Sequence, residues 1–238
     1  MAIDLALLDR AEHRNESWLR LYRWDPPCVS FGRHEPATQQ YDADRIRVLG
    51  VDTVRRPTGG RAVWHEGELT YAVASPCARF GSLRAAYLEI HLLLARALKA
   101  LGIDAGIAGR VRTPSLVAGG CFSQPVGGEV LVNGRKVIGS AQRRRSSALL
   151  QHGSILLQDD QARLDTFSRG GANPWGLDPG GADVLGQLDP DDLAGAVTEL
   201  ARRFWGGDGA DAAQLECVLN EASRHYPRFQ SGAWTWAR

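Results

Sequence analysis

Long apolar runs, metal-ligand spacing and an excess of either charge are all missing from this sequence, and each absence excludes a class of protein. No window approaches the ~20 apolar residues of a membrane-spanning helix. The first residues carry Asp4 and Asp9 where a secretory signal needs an unbroken apolar run, so no export signal is expected. The four cysteines (Cys28, Cys77, Cys121, Cys217) are scattered, with no CxxC and no metal-ligand spacing. Lys and Arg number 28 against 27 Asp and Glu, and a formal net charge of +1 gives no electrostatic case for general nucleic-acid binding. A soluble, reduced, cytoplasmic protein with no membrane segment and no metal is therefore expected. With 238 residues, 44% of them hydrophobic, the chain can bury a substantial core.

What is there alternates between strand and helix patterns. Residues 2–14 have helical spacing, with Ile3, Leu7 and Leu8 on one side. Strands are expected over 17–24, 28–32 and 51–55, and a short helix over 42–48. Residues 62–65 and 68–75 read as a hairpin turned at Glu66-Gly67, with His65 near its end. Ser82 caps the clearest helix, 82–101, whose stripe includes Ala86, Ile90, Leu94 and Leu98; His91 inside it is expected to be structural. Residues 129–157 read as a three-stranded meander. Asp189-Pro190 opens a helix to about Trp205, and another follows over 210–223. No repeat or linker marks a boundary, so one α+β domain with a mixed, mainly antiparallel sheet and packed helices is expected over 1–238.

The stretch 119–154 holds the most chemistry. Asn133-Gly134 between runs of β-formers signals a two-residue hairpin. Leu131 then pairs with Lys136 and Glu129 with Ile138, which puts Lys136 on a mostly apolar face, where a lysine is costly without a task. Cys121 follows Gly119-Gly120, and a neighbouring ammonium would raise its thiolate fraction. The residues alone leave two options open: Lys136 and Cys121 act together, or Cys121 is inert and Lys136 snorkels to solvent. His152 is a competing partner for the thiol. Gly139, Ser140 and Ala141 are small enough to leave room for a ligand above their strand. Upstream, Gly59-Gly60 after a strand lets backbone approach a ligand closely, although the pattern is no phosphate loop.

Four segments, RRPTGGRAVWH (55–65), ELTY (68–71), GRKVIGSAQ (134–142) and LQHGS (150–154), occur in the order that resembles the biotin/lipoate protein ligase and octanoyltransferase superfamily. Within it the chain is most similar to LipM-type octanoyltransferases. Arg61 stands where many lipoate ligases have a third glycine, and Cys121-Phe122 lies where LipM-like enzymes carry their acyl-thioester cysteine. Val126-Gly-Gly-Glu129 departs from the aromatic that members often have there. The chain stops soon after Trp236, so no accessory domain of the ligase kind is expected.

The resemblance implies transfer of an octanoyl group from octanoyl-acyl carrier protein, through a Cys121 thioester, to the lysine of a lipoyl domain (glycine-cleavage H protein or dehydrogenase E2). Cys121 and Lys136 would be catalytic. Arg56, Thr58, Gly59, Gly60, His65, Gly139, Ser140, Ala141, His152 and Gly153 would bind substrate, and no cofactor is implied. Backbone N–H groups of residues 139–141 or of the Gly59-Gly60 turn would meet the oxyanion. Arg143–Arg145, with Arg55 and Arg56, would meet acidic carrier proteins and steer encounter, or the triple arginine is simply a solvated turn. The alternatives are an ATP-dependent lipoate–protein ligase and a non-catalytic acyl- or carrier-binding module.

Overall fold

The computed structural model describes residues 1–109, 127–158, 160–169, 185 and 188–237. Among the described residues there are ten strands: β1 Trp18–Tyr22, β2 Cys28–Phe31, β3 Asp52–Arg55, β4 Val63–His65, β5 Glu68–Pro76, β6 Ala105–Ile107, β7 Val130–Val132, β8 Arg135–Lys136, β9 Ile138–Arg145 and β10 Ala148–Leu156. The helices are α1 Ala2–Arg14, α2 Ala37–Gln40, α3 Ala43–Val48, α4 Cys77–Phe80, α5 Leu83–Ala100, α6 Arg163–Phe167, α7 Pro190–Trp205, α8 Ala212–Ala222, α9 Tyr226–Phe229 and α10 Gly232–Thr235. The expected α+β class is the observed one.

The main sheet has the order β1-β5-β10-β9, with every neighbouring pair antiparallel. Both faces of β5 and β10 are covered, so period-2 alternation sorts their side chains into two cores. Leu69, Tyr71, Val73, Leu149 and Ile155 pack under α5 and α7. Ala72, Ala74, Ala148 and Leu150 face α1 and Val218 of α8. The stripe read for α5 is the buried one: Ala86, Ile90, Leu94 and Leu98 are each no more than 1% exposed. Ser82 starts this helix by accepting from the Ala85 N–H at 3.0 Å. Asp189 caps α7 in the same way through Asp191, with Pro190 in its first turn.

Two readings of connectivity need correction. Residues 62–65 and 68–75 turn at Gly67, whose φ is +61°, but β4 pairs with β2 and not with β5. Both edges of β5 are taken by β1 and β10, so the arriving strand joins the second sheet, β3-β2-β4. Nor is 129–157 one meander. Leu131 does pair with Lys136, but the β7–β8 ladder ends there and belongs to a third sheet with β6. Val137 carries the chain across: its N–H donates to Val130 O and its own carbonyl accepts from Leu156. Ile138 then pairs with Ile155 in the main sheet instead of with Glu129.

Arg55 and Arg56 are not surface cations. Arg55 is 1% exposed and donates to the carbonyls of Gly32, Arg33 and Glu35 and to those of Trp234, Thr235 and Ala237. A guanidinium can fan hydrogen bonds to several carbonyls at once, which makes it a brace between the β2–β3 end and the α10 segment.

Candidate active site

The site forms where the turn after β3 folds over the β9–β10 end of the main sheet. Arg56, 5% exposed, holds that turn: Nη2 donates to Arg61 O at 2.6 Å, and Nη1 to Ser30 O at 2.7 Å and Ser30 Oγ at 2.5 Å. Gly60 takes φ +95°, and its carbonyl lies so close to Gly32 that a Cβ there would stand 1.7 Å away. The missing Cβ of Gly32 permits that approach, and the positive φ suits Gly60. The turn thereby roofs a cavity of about 30 Å³. Arg56, Gly60, His65, Gly139, Ser140, Ala141, His152 and Gly153 line it, together with Met1, Tyr22, Val63, Thr70 and Ser154. Segments far apart in sequence thus converge as expected. Thr58 and Gly59 stay outside the lining; Thr58 acts on it through His152.

Each histidine is fixed between a carboxylate and a hydroxyl. His152 Nδ1 faces Asp4 Oδ2 at 3.1 Å and Nε2 faces Thr58 Oγ1 at 2.6 Å. Burial lowers the His152 pKa against the pull of Asp4, keeping the ring neutral. The carboxylate can only accept, so Nδ1 carries the proton and Thr58 donates to Nε2. Burial works against the Asp4 charge, but the chain's amino group, His152 and Arg20 hold its carboxyl below the ordinary carboxylate range. His65 repeats the pattern, with Nδ1 at 2.7 Å from Glu68 Oε1 and Nε2 at 2.5 Å from Ser30 Oγ, its ring stacked on Trp24 at 4.5 Å. Ser154 and Thr70 also donate to Glu68 Oε1.

Behind the sheet, under α5, runs a second polar chain. Tyr71, Gly153 and Ser140 lie opposite one another on three neighbouring strands. Gly153 has no Cβ, so Tyr71 Oη and Ser140 Oγ meet across it at 2.6 Å. Ser140 also reaches His91 Nε2 at 2.8 Å, and His91 Nδ1 donates to Gly128 O at 2.7 Å. The His91 pKa is pushed down to about 4 by burial, with the Lys136 charge adding to the effect. The neutral ring must therefore accept from Ser140, and Tyr71 must donate to Ser140.

Lys136 is buried, as expected of its face, but it is not alone there. Nζ lies 2.5 Å from Glu129 Oε1, with the two side chains 5% and 6% exposed. The charge is stabilised by an ion pair, not tolerated on an apolar surface. Cys121 lies outside the described residues. Sequence reasoning missed Glu129, Tyr22, Thr70, Ser154, Glu68, Ser30 and Asp4. The signal for Glu129 was present, because it shares the face of Leu131, diagonal to Lys136. Asp4 sat on the apolar side of a helix between Ile3 and Leu7. Ser30 and Tyr22 left none.

Residues 1–173 match the family model of the lipoyl protein ligase A/B catalytic domain. The octanoyltransferase LipM of Carboxydothermus hydrogenoformans is 45% identical over 168 residues, covering 69% of this chain and 62% of that protein. That of Kyrpidia tusciae is 42% identical over 174 residues, covering 69% and 63%. The matched region thus spans less than two thirds of either relative. Among solved structures, a lipoate-protein ligase A bound with ATP superposes with a TM-score of 0.76 at 20% identity, covering 99% of this chain and 92% of that one. A bipartite lipoate protein ligase from Thermoplasma acidophilum gives 0.70 at 20% identity, covering 100% and 91%. At such identities these structures speak to the fold alone.

Proposed function

The chain belongs to the lipoyl protein ligase A/B catalytic-domain family, and on that premise we propose that it is an octanoyltransferase acting on lipoyl domains. Octanoyl-acyl carrier protein is the donor, and the lysine of a glycine-cleavage H protein or a dehydrogenase E2 domain is the acceptor. The observation that carries the proposal is the convergence of Gly60, His65, Gly139–Ala141 and His152–Gly153 on one cavity, with Lys136 three residues before its wall. The names of the two LipM relatives agree with it.

In the first step the Cys121 thiolate attacks the thioester carbonyl of the donor. A carbon–sulfur bond forms to Cys121 and the bond to the carrier sulfur breaks, with that sulfur leaving as a thiolate that takes up the proton Cys121 had released. In the second step the acceptor amine attacks octanoyl-Cys121, forms the amide, and returns the thiol. The thioester already carries the activation. Lys136 serves as the cation next to the thiolate and the tetrahedral oxyanion, and Glu129 orients it. His65 and His152, braced on both nitrogens, act as walls rather than bases. The cavity has about the volume of one water, so an eight-carbon chain must widen it or run out of it.

Intact mass after incubation with octanoyl-acyl carrier protein tests the reading. An octanoyl adduct that hydroxylamine removes and that Cys121→Ser lacks is expected. Unmodified protein, with lipoyl-domain modification appearing only when ATP and lipoate are supplied, would replace the transferase with a ligase.

A further inference from the structure

The basic run 143–145 does not behave as one patch. Arg145 is engaged by α1, pairing with Asp9 and, at 2.9 Å, with Glu12. Arg144 is exposed and, by strand alternation, points to the opposite face from its two neighbours. Arg143 lies two residues along β9 from Ala141, on the face of His152 and the cavity. Its Nη1 is buried and has no hydrogen-bond partner.

What faces Arg143 is mostly positive. Burial, then Arg33, Arg145 and Arg228, push its pKa down, and Asp9 pulls the other way. Asp9 is already shared between Arg145 and His225, the latter at 2.8 Å. The frame that gathers these cations is built of short bonds. Arg33 N–H donates to Thr58 O at 2.8 Å, and Thr58 holds His152. Arg228 lies over the Trp234 ring at 5.2 Å, and the carbonyls of Trp234 and Arg33 both accept from Arg55. Arg33 and Arg228 are exposed. Arg143, Arg33 and Arg228 thus come from three separate segments to the side of the cavity close enough to repel, and Asp9, the carboxylate that draws on Arg143, is already paired with Arg145 and His225. Such crowding is unfavourable until an anion arrives, and a guanidinium fork matches a carboxylate bidentately.

We propose that Arg33, Arg143 and Arg228 form the docking site for carboxylates that flank the target lysine on the acceptor domain. This rests on the acyl-transfer reading above. Arg143 stands about 7 Å along the strand from Ala141. A lysine stem covers a comparable span, so when the acceptor amine enters the cavity a neighbouring carboxylate on the acceptor surface reaches these arginines. The phosphate of a carrier's pantetheine arm stands much farther from its thioester and falls elsewhere. The site therefore selects the acceptor and not the donor.

The test titrates the apo lipoyl domain of a glycine-cleavage H protein, and separately octanoyl-acyl carrier protein, against wild type and variants by fluorescence anisotropy. R143Q, R33Q and R228Q are each expected to weaken acceptor binding, the triple variant by about tenfold, with donor affinity unchanged. R143K retains part of the affinity, R144Q serves as a control that changes nothing, and added salt erases the difference. Should R143Q fail to fold, the exposed Arg33 and Arg228 carry the test. Unchanged acceptor affinity in the folded variants, or a loss confined to the carrier, overturns the proposal. If wild type transfers no octanoyl group while acceptor binding still depends on these arginines, the transferase reading fails and the docking site stands.

Discussion

Gly153→Ala is expected to destabilise the fold by about 3 kcal/mol through a collision that crosses two strands. A Cβ on Gly153 would lie 2.3 Å from Gly139 O, 2.6 Å from Ser140 Oγ and 3.0 Å from Ser140 Cα. The carbonyl is fixed by the β9–β10 ladder, so the backbone must shift, a kind of overpacking that costs ~1–3 kcal/mol. The hydroxyl can rotate away, but it then leaves Tyr71 and the buried Nε2 of His91. Losing those bonds and stranding a buried acceptor adds ~1–3 kcal/mol. Urea denaturation followed by tryptophan fluorescence reads the sum. Ser140→Ala alone removes the hydrogen bonds and is expected to cost ~1–2 kcal/mol. In the double variant one of the collisions is gone, so its loss should fall short of the two single losses added together. A Gly153→Ala protein as stable as wild type, or a strictly additive double variant, would refute this account of the Tyr71–Gly153–Ser140 row.

His91 should give stability a pH dependence. Its folded pKa of about 4 lies below the ordinary ~6.5 of an unfolded histidine, so its contribution is fully present above ~6.5 and lost as pH falls toward 4. That amounts to about 3 kcal/mol over the window, and His91→Asn should flatten the slope measured by denaturation at pH 7 and pH 5; an unchanged slope contradicts it. Glu129→Gln replaces the carboxylate beside a buried ammonium and should cost ~2–4 kcal/mol, read as a drop in urea midpoint; a silent substitution would mean that the pair does not hold the charge. Arg55→Met removes a brace with donors on carbonyls of two segments, and limited proteolysis should then cut first near residues 230–237; cutting elsewhere first would argue against the brace.

The long helices were legible because periodicity and caps are local, whereas the one-turn helices α2, α4, α6, α9 and α10 were not. α1, α5, α7 and α8 fall within a few residues of the expected bounds. Apart from β6, which no pattern announced, the strands were legible as strands, and their partners were not. Which sheet β4 joins depends on whether β5 has a free edge, and that is decided by β1 and β10, both distant in sequence. The same limit applied to the site. His152, Gly153, His65 and the Gly-Gly turn could be named from motifs, and they do meet. The groups that hold the two histidines (Asp4, Thr58, Glu68 and Ser30) come from elements whose contact no spacing encodes. His91 was read as structural. It is buried in the core as expected, yet its two nitrogens join the pocket strand to the backbone just before the Glu129–Lys136 pair.

Val137 gives that arrangement a further consequence. It is the single residue between the ladder that ends at Lys136 and the strand that begins the cavity wall. The ammonium and the cavity wall are therefore mounted on different sheets, stitched by one residue whose N–H and C=O point to opposite partners. Substitutions that widen or narrow the cavity along β9 and β10 leave the mounting of the lysine intact, because β6 and α5 set it. The size of the cavity and the position of the ammonium can thus drift separately within one fold.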